Sequence, residues 1–99
     1  TINLNDILVH NPPATFFMRM KGRNLASRGI LSEDLLVVDR SRPPVAGCFV
    51  VFRSDSDFAC RELVREGERF ALADGEGNRV AVSAETEIFG TVTGVVRHL

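Results

Sequence analysis

Histidine and cysteine, which move protons and act as nucleophiles in many active sites, occur only twice each in this 99-residue sequence. The two histidines, His10 and His98, stand near opposite ends, and no serine or cysteine motif surrounds either of them. Nucleophilic catalysis needs a Ser or Cys with a base close in space. We therefore predict no Ser-His-Asp triad and interpret both histidines as surface residues.

The other patterns that suggest chemistry are also weak. Cys48 and Cys60 show no metal-ligand spacing, and we interpret them as free buried thiols in a reducing compartment. The acidic stretch at 55–57 is too short for a calcium loop and lacks the downstream Glu. The glycines at 75–77 do not join a strand to a helix, so they predict a turn and not a phosphate site. No metal and no cofactor is predicted.

Composition predicts one soluble, globular, intracellular domain over residues 1–99. Twelve Lys and Arg face thirteen Asp and Glu, the formal net charge is -1, and 44% of the residues are hydrophobic. No apolar run is long enough to span a membrane, and no secretory leader is evident. The basic residues form no concentrated patch, so direct binding to nucleic acid is not predicted.

The first predicted element is a short helix. Asn3 is placed to cap it, with Asp6 three residues on, and the prolines at 12–13 end it. Its apolar face would be formed by Leu4, Ile7 and Leu8.

Six or seven short strands are predicted after this helix, at a spacing typical of a mainly β domain. In residues 15–21, Phe16, Met18 and Met20 occupy every second position. This spacing predicts a strand whose face with these three side chains is turned toward the core. The remaining predicted strands are 35–39, 49–53, 58–64, 69–73, 79–82 and 87–96, with turns at 55–57 and 74–78. Gly90 and Gly94 within the last strand predict a bulge or a close backbone approach.

Three stretches resemble the UmuD/LexA-like family of self-cleaving Ser-Lys peptidases. Residues 4–17 resemble the opening of processed UmuD mutagenesis proteins, residues 34–40 the central acidic and apolar strand, and residues 87–92 the C-terminal strand. The resemblance runs in order over nearly the whole chain. It implies the mainly β LexA/UmuD C-terminal peptidase fold, with one short N-terminal helix.

Active members of that family carry the nucleophilic serine in a Gly-Asp-Ser-Met turn and the lysine base in a Phe-x-x-Lys strand. Here these motifs read GRNL at residues 22–25 and FACR at residues 58–61. By this resemblance, Asn24 stands at the serine position and Arg61 at the lysine position. Because Arg does not deprotonate in proteins, it cannot act as the base. The resemblance therefore implies an inactive, degenerate peptidase.

Several alternatives remain open around these positions. The altered turn keeps Gly22 but carries Arg23 and Leu25 on either side of Asn24. Ser27 and Cys60 are the alternative candidates for the nucleophile, although Cys60 and Arg61 should point to opposite faces of a strand. Either Asn24 and Arg61 are relaxed positions, or Arg61 pairs with an acidic residue such as Asp34 across the former site.

The resemblance also implies a function by binding. It implies a homodimer, or a mixed dimer with an active UmuD-like relative, that joins a Y-family DNA polymerase subunit and contacts the RecA filament in the bacterial cytoplasm. The segment predicted for dimerisation, either as an exposed strand edge or as a plain core strand, is Ile88, Phe89, Gly90, Thr91 and Val92.

The second hypothesis is the dimerisation domain of a LexA-like or phage-type repressor, and a third is a peptidase with another nucleophile. No cleavage site precedes Thr1, which leaves open whether an arm or a DNA-binding domain lies upstream.

Overall fold

The computed structural model describes residues 14–99, which form one antiparallel sheet and one turn of 3-10 helix, Ala26–Arg28. The strands are β1 (Thr15–Arg19), β2 (Leu35–Asp39), β3 (Phe49–Ser54), β4 (Asp57–Glu66), β5 (Arg69–Ala73), β6 (Arg79–Ala81) and β7 (Ile88–Val96). The mainly β fold predicted from the sequence is confirmed. The predicted N-terminal helix with Asn3 lies outside the described residues, as does His10.

Strand order in the sheet is β1-β2-β7-β3-β4-β5-β6, so the last strand along the chain lies in its middle. β7 pairs with β2 on one side and with β3 on the other. The hairpins β3-β4, β4-β5 and β5-β6 follow one another in sequence. The turn predicted between β5 and β6 is confirmed, and the Asp74 carboxylate accepts hydrogen bonds from the backbone N–H groups of Glu76 and Asn78.

The core is divided into two clusters by the sheet. The larger cluster joins residues from β2, β3 and β4 with the turn after β1, and consists of Met20, Leu25, Ile30, Leu36, Val38, Val51 and Cys60. The smaller one consists of Val50, Leu63 and Leu72. Leu25, although in a turn, is fully buried and fixes that turn to the core.

Both glycines in β7 act as predicted. A Cβ at Gly90 would lie 2.7 Å from Cγ1 of Val38, so the two strands approach too closely there for a side chain. Near Gly94 the register between β2 and β7 shifts, as at a bulge, between Val37 and Val38.

The predicted inward face of β1 is only partly right. Met20 is buried and Met18 is half-buried, but Phe16 is 41% exposed. The Phe16 ring packs edge-on against Phe89 of β7, with ring centroids 5.4 Å apart. The alternation of residues along this segment predicted the strand correctly. It did not predict that the outermost ring of an edge strand stays in contact with solvent.

Of the two alternatives predicted for residues 88–92, the structure shows the core strand and not the exposed strand edge. The two edges of β7 are occupied by β2 and β3, so the backbone of Ile88–Val96 pairs within the chain. Gly90 and Thr91 are buried, whereas Ile88, Phe89 and Val92 are half-buried. Within residues 14–99, no helix is long and apolar enough to cross a membrane.

Candidate functional site

A cleft of about 230 Å³ lies between the end of β1 and the beginning of β4. These strands are separated in the sheet by β2, β7 and β3, so the sheet must curl to bring them to the same cavity. The residues that line the cleft are Met18, Arg19, Met20, Lys21, Asn24, Leu36, Asp57, Phe58, Ala59, Cys60 and Arg61. The fold thus brings Asn24 and Arg61, predicted from two separate motifs, to one cavity.

The turn that carries Asn24 is fixed from both sides. Gly22 adopts φ +83°, a left-handed conformation that favours glycine, and it opens the turn. The backbone N–H of Gly75, in the β5-β6 turn, donates to the Asn24 carbonyl at 2.6 Å. The Ser27 hydroxyl donates to the Gly75 carbonyl at 2.8 Å. The β5-β6 turn therefore holds the backbone around Asn24 in place.

A paired arginine and glutamate connect this turn to β4. Arg28, in the 3-10 helix, contacts Glu62 through Nε and Oε1 at 3.1 Å and through Nη2 and Oε2 at 3.1 Å. Glu62 directly follows Arg61 on β4. The two-point contact fixes the separation between the Asn24 turn and the strand that carries Arg61.

Arg61 is half-buried and does not pair with Asp34, which corrects one of the two alternatives drawn from the sequence. Its Nη1 donates to the Cys60 carbonyl at 2.6 Å. Among residues 14–99, no carboxylate oxygen lies within 4.0 Å of its guanidinium. Within the described part of the chain, Arg61 therefore lines the cleft without a direct ion pair, although, secondary to the hydrogen bond from Asn78, its charge contributes to lowering the pKa of the Asp74 carboxyl.

Asp34 is instead held by Arg97, a residue that the sequence reasoning missed. The Arg97 Nε donates to Oδ1 and its Nη2 to Oδ2, both at 2.7 Å, and the Leu31 N–H donates to Oδ2 at 2.7 Å. The hydrogen bonds from Arg97 hold the pKa of Asp34 below its usual value, although burial opposes them. No local sequence signal indicated this pair, because it depends on β7, which Arg97 directly follows, lying beside β2.

The two residues considered as replacement nucleophiles are poorly suited to that role. Burial raises the pKa of the Cys60 thiol to about 12, and the nearby Arg61 charge only partly opposes this. A thiol is nucleophilic as the thiolate, so Cys60 is almost fully protonated near neutral pH. Ser27 does not line the cleft, and its hydroxyl is engaged with Gly75.

Positive charge predominates around the cleft. Arg19, Lys21 and Arg61 line it, against the single acidic side chain of Asp57. Lys21 contacts Glu33 at 3.0 Å, but both side chains are well exposed and the contact is screened by solvent. Among the described residues, no group of three His, Cys, Asp or Glu side chains is placed to hold a metal ion.

A ring cluster borders the cleft on its Phe58 side. The Phe58 and Phe89 rings pack edge-on at 5.1 Å, and the Arg40 guanidinium lies over Phe89 at 4.4 Å from the ring centroid. Arg40 Nε also donates to the Phe89 carbonyl at 3.2 Å. No sequence pattern indicated that Arg40 would cover this segment of β7.

Comparison with known proteins identifies the family. The sequence model of the family described as Peptidase S24-like matches residues 1–93. The chain belongs to the Peptidase S24-like family. The UmuD/LexA-like family predicted from the sequence motifs is thereby confirmed.

Relatives of this chain include the proteins SamA and ImpA and LexA repressors. Protein SamA of Salmonella typhimurium is 30% identical over 95 residues, which cover 96% of this chain and 68% of SamA. Protein ImpA of Escherichia coli is 35% identical over 98 residues, which cover 96% of this chain and 67% of ImpA. The LexA repressor of Azoarcus sp. (strain BH72) is 32% identical over 97 residues, covering 93% of this chain and 48% of the repressor. The chain is thus a UmuD-like member that spans about half the length of that repressor.

Proposed function

We propose that this chain is a catalytically inactive UmuD-like protein that acts by binding. The observation that carries the proposal is that Asn24 and Arg61, which stand at the positions of the family's serine and lysine, line one cleft. The scaffold of a Ser-Lys site is retained while both reacting groups differ. The resemblance of the GRNL and FACR segments to the family motifs supports this assignment.

The chemistry of the two side chains is incompatible with the dyad mechanism. A Ser-Lys dyad needs a neutral lysine amine that accepts the hydroxyl proton as the serine attacks. An arginine side chain does not deprotonate in proteins, so a residue of this type at position 61 cannot serve as that base. Asn24 supplies an amide, whose oxygen is not a nucleophile of the required kind.

The proposed role is that of a dimeric accessory or regulator of an error-prone Y-family translesion polymerase in the SOS response to DNA damage. Contact with the RecA filament belongs to the same proposal, as does a mixed dimer with an active UmuD-like relative. The likeness to SamA and ImpA supports this role over that of a repressor, since the chain covers two thirds of their length.

Within this proposal, side chains and not the β7 backbone would form the dimer contact. Phe89 packs against Phe16 and Phe58, whose rings are 41% and 38% exposed. A cluster of exposed aromatic rings is typical of an interface between proteins.

Cleavage assays test the inactive site directly. The purified chain is incubated at neutral and alkaline pH, with and without an activated RecA filament, alone and with a LexA-type repressor as substrate. Intact masses by mass spectrometry are expected under every condition. A specific cleavage product that depends on this chain would overturn the proposed inactivity.

Sedimentation tests the binding role. The chain has neither Trp nor Tyr, so interference detection is needed in place of absorbance at 280 nm. A dimer that forms a two-plus-one complex with the Y-family polymerase subunit of the same bacterium is expected. A monomer, or a dimer that ignores the polymerase, contradicts the accessory role.

A second candidate function is the dimerisation domain of a LexA-like repressor. It is favoured by three LexA repressors that are 28–32% identical over 93–94% of this chain. Reading the gene upstream of Thr1 discriminates the two candidates, because a helix-turn-helix segment there would favour the repressor.

A further inference from the structure

The guanidinium of Arg61 has hydrogen-bonding capacity that the described part of the chain does not use. A guanidinium carries five N–H donors, and one of them is bound to the Cys60 carbonyl. Residues 14–99 place no carboxylate within 4.0 Å of it. A half-buried cation of this kind favours an anionic ligand that brings two acceptor oxygens.

The surroundings of Arg61 strengthen this preference. Arg19 and Lys21 line the same cleft, and the single acidic residue of the lining, Asp57, accepts a hydrogen bond from the Phe58 N–H at 2.8 Å. A cleft lined with like charges concentrates a ligand of the opposite sign. At about 230 Å³, the cavity is smaller than the roughly 300–1,000 Å³ that drug-sized ligands and cofactors occupy.

Strand edges beside the cleft suit an extended peptide. Residues 57–61 of β4 pair with β3 alone, because the pairing with β5 begins at Glu62. Among the described strands, β1 pairs only with β2. A strand edge can pair with an added strand while a neighbouring pocket reads its side chains. On this edge of β4 two backbone groups are already bound within the chain, because the Phe58 N–H donates to Asp57 and the Cys60 carbonyl accepts from Arg61.

We propose that the cleft binds an extended peptide segment of a partner protein through an acidic side chain, whose carboxylate accepts hydrogen bonds from Arg61. This inference rests on the proposed function, in which the cleft binds and does not cleave. Replacement of a lysine by arginine thus changes the cleft from a proton-accepting site into a carboxylate-recognising one.

The test uses fluorescein-labelled pools of acetylated hexapeptides with Glu, Gln or Lys fixed at a central position and Ala, Val, Leu or Ser elsewhere. Fluorescence anisotropy is measured with the wild-type chain, with Arg61→Gln and with Arg65→Gln. Arg65 is a matched control, since it is exposed on the same strand, does not line the cleft and contacts the Gly67 carbonyl. Circular dichroism verifies that each variant is folded.

Wild type and Arg65→Gln are expected to bind the Glu pool about tenfold more tightly than the Gln pool, the usual range for a charged hydrogen-bonding partner. Arg61→Gln should bring that ratio close to one. Arg61→Lys keeps the charge but loses the two-pronged geometry, so an intermediate ratio is expected. The preference of the wild type should also weaken as salt is raised.

Three results would overturn the inference. They are equal binding of the Glu and Gln pools, a Glu preference that persists in Arg61→Gln, and no binding of any pool. Free glutarate that competes as strongly as the Glu pool overturns the peptide part and identifies a small carboxylate as the ligand. Mass spectrometry of the same samples separates the two proposals. Intact peptides that bind without a Glu preference contradict this inference alone, whereas cleaved peptides contradict the proposed inactivity of the peptidase site.

Discussion

Arg97 holds Asp34 through two hydrogen bonds of 2.7 Å that join residues 63 positions apart in the sequence. The Asp34 side chain is 2% exposed, while Arg97 is 41% exposed and also donates to the Gly29 carbonyl at 3.0 Å. The pair therefore connects the end of β7 to the turn that leads into β2. Asp34 thus stabilises the fold through its pairing with Arg97 and does not neutralise the charge of Arg61.

Removal of Arg97 should destabilise the fold markedly. Arg97→Gln leaves the buried Asp34 carboxylate without its cation, and we expect the free energy of unfolding to fall by about 2–4 kcal/mol. Arg79→Gln is the control, because Arg79 and Glu66 also form an ion pair but are 51% and 49% exposed. Arg79→Gln should lower the free energy of unfolding by at most about 1 kcal/mol. Urea unfolding followed by circular dichroism measures both, and equal losses would contradict this interpretation.

The contribution of Asp34 to the free energy of unfolding should depend on pH. Its pKa is lowered in the folded state, chiefly by the hydrogen bonds from Arg97, so its stabilisation is present above the ordinary aspartate pKa of about 3.9. This stabilisation is lost as the pH falls through the lowered value. The difference in unfolding free energy between wild type and Asp34→Asn should be largest near neutral pH and shrink below about pH 4. A difference that stays constant down to about pH 2.5 argues against a charged Asp34 in the fold.

Restoring both reacting groups should restore part of the peptidase activity. Asn24→Ser with Arg61→Lys is expected to cleave a LexA-type substrate slowly, because Arg23 and Leu25 still differ from the active turn. Asn24→Ser alone should remain inactive, since Arg61 cannot accept the serine proton. Substrate cleavage at alkaline pH, followed by mass spectrometry, measures this. Activity in the single variant would show that a base other than residue 61 operates.

The two cysteines should differ strongly in reactivity. Both are free thiols, but Cys48 is half-buried whereas Cys60 is 4% exposed, with its pKa raised to about 12 by burial. Alkylation by iodoacetamide near pH 8 should modify Cys48 at least about a hundredfold faster, because the thiolate is the reacting form. Peptide mapping identifies the modified residue. Comparable rates at the two sites would revive Cys60 as a candidate nucleophile.

The aromatic rings around Phe89 should matter for association more than for folding. Phe16→Ser removes an exposed ring that packs against Phe89, and we expect the dimer to dissociate at least about tenfold more readily. Phe70→Ser is the matched control, with a ring 39% exposed on β5. Sedimentation over a concentration series gives both dissociation constants. An unchanged dimer in Phe16→Ser would place the contact elsewhere.

Local patterns were sufficient to predict the strands but not the partners of their side chains. The β5 bounds and the close approach at Gly90 follow from alternation and from the usual meaning of a glycine inside a strand. The pairing of Asp34 with Arg97 depends on β7 lying beside β2, which strand order alone determines. For the same reason, residues 88–92 were open to two predictions, an exposed strand edge or a core strand, and only the strand order decides between them.

The central position of β7 has a consequence for the order of synthesis. A ribosome releases β1 to β6 first, and until residues 88–96 emerge, β2 and β3 cannot be joined into one sheet. During that interval the edges of β2 and β3 lack their native partner, and the core cluster with Val38 and Val51 lacks the contacts of Phe89 and Val92. The nascent chain is therefore most prone to aggregation, and most in need of chaperones, just before translation reaches its last strand.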